Sequence, residues 1–191
     1  WDVPSAYPLQ WAFGTATIPA AFALAYLVAG PVPGLAAAAA IAFYPPLIDV
    51  TGDLLTEPLG ALMLTIALCA VVLALRRRTW RRAAGAGLLL GLTVLVRADL
   101  LAVPLLLAAL VAATVWRSDG RRRGLALGAA MLAGILVPTL PWSIYVSSVA
   151  GKPVPVSSGG ASNLFVGTYT PGGGSMFGLK RELAAEVGER Y

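Results

Sequence analysis

At 191 residues, with 58% hydrophobic and only 12% charged residues, the chain carries more apolar side chain than a soluble domain of this length can bury. Soluble domains hold roughly 45–50% apolar and about 25% charged residues, so the composition predicts an integral membrane protein. Histidine is absent and Cys69 is the single cysteine, which excludes Ser-His-Asp and Cys-His catalysis, imidazole-bound metals, intrachain disulfides and cysteine-rich zinc sites. Nearly all of the 14 basic residues are arginine and alanine is abundant, a pattern of GC-rich bacterial genomes. The chain opens on Trp1 without a signal-peptide pattern and reads as an excised piece of a longer protein.

The charges divide the chain. No charged residue occurs between Asp2 and Asp49, a stretch long enough for two spans, and Gly30-Pro31-Val32-Pro33-Gly34 splits it. The spacing predicts spans over 11–29 and 34–48, then 58–75, 83–97, 100–116 and 124–146. The uncharged run 83–96 is short for a bilayer, so Arg81, Arg82 or Arg97 must be drawn into its helix with the head turned outward. The fold class expected is an all-α polytopic membrane bundle of about six transmembrane helices over 1–146. An extracytoplasmic, partly irregular segment over 147–191 follows. Within that segment, Val154–Val156 and Leu164–Val166 read as short β-like pieces. Residues 177–190 read as a short amphipathic helix, with Phe177, Leu179, Leu183 and Val187 on its apolar face.

Arginine sets the orientation. Arg76, Arg77, Arg78, Arg81 and Arg82 fall in one inter-helix loop, and Arg117, Arg121, Arg122 and Arg123 in another two spans later. Both loops are therefore on one side, the cytoplasmic side by the positive-inside rule. The 49–57 loop, the 97–99 turn and the tail lie outside. These arginine blocks mark topology, so the sequence pI of 9.8 does not imply a nucleic-acid partner. Gly87-x-x-x-Gly91 and Gly124-x-x-x-Gly128 fit close helix packing within one bundle. Trp116, Trp142 and Tyr145 sit near span ends, where aromatic belts form. Pro138 and Pro141 are expected to bend the last helix. Cys69, in mid-span, reads as a small apolar residue.

The residues able to do chemistry collect on the outer side. Asp49, Asp53 and Glu57 are spaced four apart, but Gly52 and Pro58 interrupt a continuous helix. Glu57 has a plain reading as an acid favourable to a helix N-terminus, with Pro58 in the first turn. Arg97 has one as an interface anchor paired with Asp99. A glycosyl phosphate, by contrast, needs a base for the acceptor hydroxyl and positive charge on the leaving phosphate, and carboxylates with arginine supply both. A divalent metal held by Asp53 and Glu57 is a further possibility.

Several segments together resemble one family. Phe43-Tyr44-Pro45-Pro46-Leu47-Ile48 is followed by Leu54-Leu55-Thr56-Glu57-Pro58-Leu59, then Gly87-Leu88-Leu89-Leu90-Gly91-Leu92 and Val96-Arg97. Leu140-Pro141-Trp142-Ser143-Ile144 and Gly151-Lys152-Pro153-Val154-Pro155-Val156-Ser157-Ser158 come next, with Gly160, Asn163-Leu164 and Gly167 after them. In order and spacing, over residues 11–173, these resemble the GT-C-type polytopic glycosyltransferases of the protein O-mannosyltransferase and lipid A aminoarabinose transferase superfamily. The resemblance implies a cell-membrane enzyme. It would transfer a sugar from a polyprenyl-phosphate donor to a lipid, protein or polysaccharide acceptor on the extracytoplasmic face. It implies Glu57 and Asp53 as catalytic acids, Arg97 as the donor-phosphate ligand, and a substrate loop containing Ser157, Ser158, Gly160 and Asn163. Two departures stand out. The family's acidic motif in the first external loop, source of its catalytic base, would precede Trp1. Where the family often has Arg-Asn after its Pro-Trp, Tyr145 and Val146 stand here. The competing class is a polytopic transporter or lipid flippase, which predicts inverted repeats and mid-membrane charges. No repeat is visible, and the charges cluster at the outer interface.

Overall fold

The computed structural model describes residues 6–51, 55–157 and 168, and among these every regular element is helical. The helices are α1 (Tyr7–Ala29), α2 (Pro31–Ala42), α3 (Pro45–Thr51), α4 (Glu57–Arg77), α5 (Trp80–Val96), α6 (Ala102–Asp119) and α7 (Arg121–Ala150). A single 3-10 turn, Ala98–Leu100, joins α5 to α6. Among the described residues, four segments are long and apolar enough to cross a membrane: Tyr7–Ala29, Glu57–Arg77, Ala98–Asp119 and Arg121–Ala150. α5, at 17 residues, rises only about 25 Å, less than the roughly 30 Å of a hydrocarbon core. It reaches even that length because Arg81 and Arg82 lie inside its first turn.

The expected span 34–48 is corrected. It consists of two shorter helices, α2 of 12 residues and α3 of 7. Pro45 and Pro46 lack amide hydrogens and disfavour helical backbone at Tyr44, so α2 ends at Ala42. The same prolines suit the first turn of α3, where amide donors have no helical partner. The break expected over 30–34 shrinks to Gly30, at φ 95°, because Pro31 and Pro33 fit the first turn of α2. Gly120, at φ 94°, makes the equally tight corner between α6 and α7.

The chain divides into two units, Trp1–Trp142 and Ser143–Tyr191, and α7 contributes to both. The core of the first unit is a seam of small and branched residues. Ala67, Val71 and Ala74 of α4 and Ala83, Ala86 and Leu90 of α5 meet Ala108, Val111 and Val115 of α6 and Leu127, Met131 and Ile135 of α7. Glycine allows the tightest approach. A β-carbon on Gly87 would lie 2.0 Å from the Met131 carbonyl oxygen, and one on Gly134 would lie 2.1 Å from that of Ala84. On Gly124 it would lie 2.5 Å from the Ala112 carbonyl oxygen. Both expected Gly-x-x-x-Gly pairs thus pack α5 and α6 against α7 within one chain. The hydroxyls of Thr17, Thr65, Thr93 and Thr139 each donate to the carbonyl four residues back at 2.7–2.9 Å, which satisfies them inside apolar helices.

The ends of this unit differ in charge. Arg78 donates to Asp119, and Arg123 contacts the other Asp119 oxygen at 3.1 Å, so the two arginine-rich corners lie together. Arg76 donates to the Leu27 carbonyl, bringing the C-terminus of α1 to the same end. At the opposite end Gln10 donates to the Leu55 carbonyl at 2.7 Å, and α1 therefore runs parallel to α4. Midway, Cys69 packs against α1, its thiol 3.9 Å from the Ala20 carbonyl oxygen.

In the second unit, Val154–Val156 is not a strand. Ser147 accepts from the Val154 amide at 2.9 Å, and Ser143 and Ser147 both donate to its carbonyl at 2.9 and 3.2 Å. Side-chain hydroxyls one helical turn apart thus take the place of a partner strand, with Val154 and Val156 buried beside them. The pieces expected at Leu164–Val166 and 177–190 lie outside the described residues.

Candidate functional site

Glu57 is the first residue of α4, with Pro58 behind it. Arg97 ends α5 in an extended conformation, its amide bonded to the Thr93 carbonyl at 2.9 Å. α4 and α5 are antiparallel and joined only by Arg78 and Thr79, so the start of one meets the end of the other. Arg97 Nη1 lies 3.3 Å from Glu57 Oε1. The 3-10 turn brings Asp99 back under the same guanidinium: Nε donates to Oδ1 at 3.2 Å and Nη2 to Oδ2 at 3.0 Å. That is a two-point fork of the kind arginine makes with planar anions.

The Arg97 side chain is 28% exposed, that of Glu57 42% and that of Asp99 50%. Ion pairs this open add little to stability, so the cluster chiefly fixes where charge is presented. The Asp99 hydrogen bond raises the Arg97 pKa above its ordinary value against the opposing effect of burial, with smaller help from the Asp99 and Glu57 charges. Arg97 is a permanent cation. Glu57 Oε2, by contrast, is buried and has no hydrogen-bond partner among the described residues. It is an acceptor awaiting a donor.

These groups line a groove of about 370 Å³ with Tyr44, Pro46, Leu47, Val50, Gly60, Ala61, Leu64 and Leu100. Apart from the Tyr44 hydroxyl and the charged cluster, its side chains are apolar. The groove thus offers an ionic patch beside a hydrophobic wall, suited to a ligand with an anionic head and an alkyl or prenyl body.

Sequence reasoning brought Glu57 and Arg97 to the same outer side, and they meet. The salt bridge from Arg97 to Asp99, weighed as a plain role for Arg97, is present, but Glu57 shares the guanidinium. Asp53 lies outside the described residues, as do Ser158, Gly160 and Asn163, while Ser157 belongs to the second unit. Among the described residues no three metal-ligating side chains converge. Of the two expected ligands of a divalent ion, only Glu57 is described, and its Oε1 is already directed at Arg97. Two residues were missed. Gly60 sits directly against the Arg97 stem, and its position one turn after Glu57 was the available signal. Asp119, set among arginines, pairs with two of them.

The sequence matches the family model described as dolichyl-phosphate-mannose-protein mannosyltransferase over residues 4–142. The chain belongs to this family. The mannosyltransferase match contains Glu57, Gly60, Arg97 and Asp99 and stops short of Ser157. Membership makes the chain an integral-membrane protein of a glycosyltransferase family that uses polyprenyl-phosphate-linked sugars, consistent with its long apolar helices. No curated protein and no solved structure matches this mannosyltransferase-family chain.

Proposed function

We propose that the Glu57–Arg97–Asp99 cluster is the donor-head site of a membrane glycosyltransferase acting on the extracytoplasmic face. The observation that carries this reading is the combination in one groove of a permanent cation, a carboxylate oxygen unpartnered among the described residues, and an apolar wall. In the reaction, an acceptor hydroxyl attacks the anomeric carbon of a sugar linked to a polyprenyl phosphate. The bond from that carbon to the phosphate oxygen breaks, and the phosphate leaves as an anion. Arg97 offers its guanidinium to that anion, where charge grows in the transition state. Glu57 Oε2 orients the acceptor hydroxyl or takes its proton. Asp53 is proposed as a second acid, and Ser157, Ser158, Gly160 and Asn163 as substrate-binding residues, on the family resemblance. The extracytoplasmic assignment is supported by the arginine corners gathered at the opposite end.

The test uses the complete protein in proteoliposomes, with transfer measured against the concentration of a polyprenyl-phosphate-linked sugar. Arg97→Ala is expected to raise the half-saturating donor concentration by on the order of tenfold or more, the scale of charge-assisted hydrogen bonds. Arg97→Lys should do so less severely, since it keeps the charge and loses the fork. An unchanged donor response in Arg97→Ala would remove the phosphate role.

A further inference from the structure

Among the described residues, most close-packed glycines meet the backbone of a neighbouring helix, but Gly60 meets one charged side chain. A β-carbon at Gly60 would lie 2.6 Å from Arg97 Cδ and 3.0 Å from Arg97 Cγ, well inside contact distance. Cγ and Cδ are stem atoms. They cannot yield without carrying the guanidinium with them. Gly60 follows Glu57 by three residues, which places both on one face of the first turn of α4. The Arg97 stem crosses that turn through the space Gly60 leaves, and its head arrives 3.3 Å from Glu57 and 3.0 Å from Asp99. Glycine is a poor helix residue, and the fit against Arg97 gives its presence inside α4 a physical reason.

We propose that Gly60 is a positioning residue for Arg97, acting by the absence of a side chain. It sets the line along which Arg97 reaches the groove and thereby the place where a phosphate is met. This rests on the donor-phosphate reading of Arg97.

Gly60→Ala separates this from a packing role because the two effects have opposite signs. Alanine is the better helix former, so the folded protein should be as heat-stable as the parent or more so. Donor use should nevertheless weaken, with the half-saturating concentration of polyprenyl-phosphate-linked sugar rising on the order of tenfold, about one charge-assisted hydrogen bond. In an Arg97→Ala background the same change should have no further effect on donor use, since the group it positions is gone. The proposal is overturned if Gly60→Ala leaves the donor response unchanged while Arg97→Ala impairs it. It is equally overturned if Gly60→Ala is as damaging without Arg97 as with it, or if the variant fails to accumulate as folded protein. If Arg97→Ala itself leaves donor use unchanged, the donor-phosphate reading falls, and this inference falls with it.

Discussion

Asp99 holds Arg97 by the edge that carries Nε and Nη2, with contacts of 3.2 and 3.0 Å, while Glu57 faces the remaining Nη1 at 3.3 Å. A phosphate can make two parallel hydrogen bonds through that edge or through the Nη1–Nη2 end, and both include the Nη2 that Asp99 holds. A donor phosphate and Asp99 are therefore rivals for Nη2. On the proposed reading, Asp99→Asn should strengthen donor use, lowering the half-saturating concentration a few-fold with little change in maximal rate. Donor titration of the purified variant checks this. Weakened donor use together with loss of folded protein would instead mark Asp99 as a structural anchor of the turn.

Glu57→Gln preserves shape and removes charge. Because Glu57 Oε2 has no hydrogen-bond partner among the described residues, the variant should accumulate normally and lose transfer by on the order of 100-fold or more, within the usual range for a positioned acid or base. Single-turnover transfer at saturating donor is the measurement. Near-normal transfer would leave Glu57 only its favourable place at a helix N-terminus.

Topology can be read by cysteine labelling of intact cells after Cys69→Ala. Thr79→Cys and Ser118→Cys report on the arginine corners, and Leu55→Cys, at an exposed position, on the opposite end. An impermeant reagent should label position 55 and spare 79 and 118 until the membrane is opened. The reverse pattern would invert the assignment and move the site to the cytoplasmic face.

Gly134 abuts Ala84, with 2.1 Å between a notional β-carbon and the carbonyl oxygen. Neither backbone can yield cheaply, so Gly134→Ala should lower stability by about 1–3 kcal/mol, the usual penalty of overpacking. Thermal unfolding in detergent should show a lower midpoint. Gly85→Ala, where nothing lies within 4 Å of the added carbon, should not.

The helices were legible where physics is local. Uncharged runs located α1, α4, α6 and α7, and the short run after Arg82 required Arg81, Arg82 or Arg97 in its helix: α5 takes in Arg81 and Arg82 and stops before Arg97. The reading of 34–48 as one span failed because hydropathy sees Pro45 and Pro46 as apolar, whereas the backbone sees two missing amides. The meeting of Glu57 and Arg97 followed from alternating spans, which place a helix start beside the end of its antiparallel partner. The spacing of Gly60 from Glu57 put the two on one face of α4, but its role is an absence that only the path of the Arg97 stem reveals. Val154–Val156 misled for a related reason: β-branched residues and proline signal extended chain, but not whether a strand or a pair of serines satisfies it.

The Arg78–Asp119 contact carries a consequence for the order of events in biosynthesis. Its partners are separated by 41 positions, and Asp119 is the one acid described at the arginine-rich end. While α4 and the arginine corner after it leave the ribosome, Asp119 has not yet emerged, and every arginine of the first corner carries its full charge into the orientation decision. Only after α6 has been synthesised does a carboxylate reach Arg78 and, through its other oxygen, Arg123. One residue thus serves twice in sequence: first as a free cation that keeps a corner on its side of the membrane, then as half of a clasp between two helical hairpins.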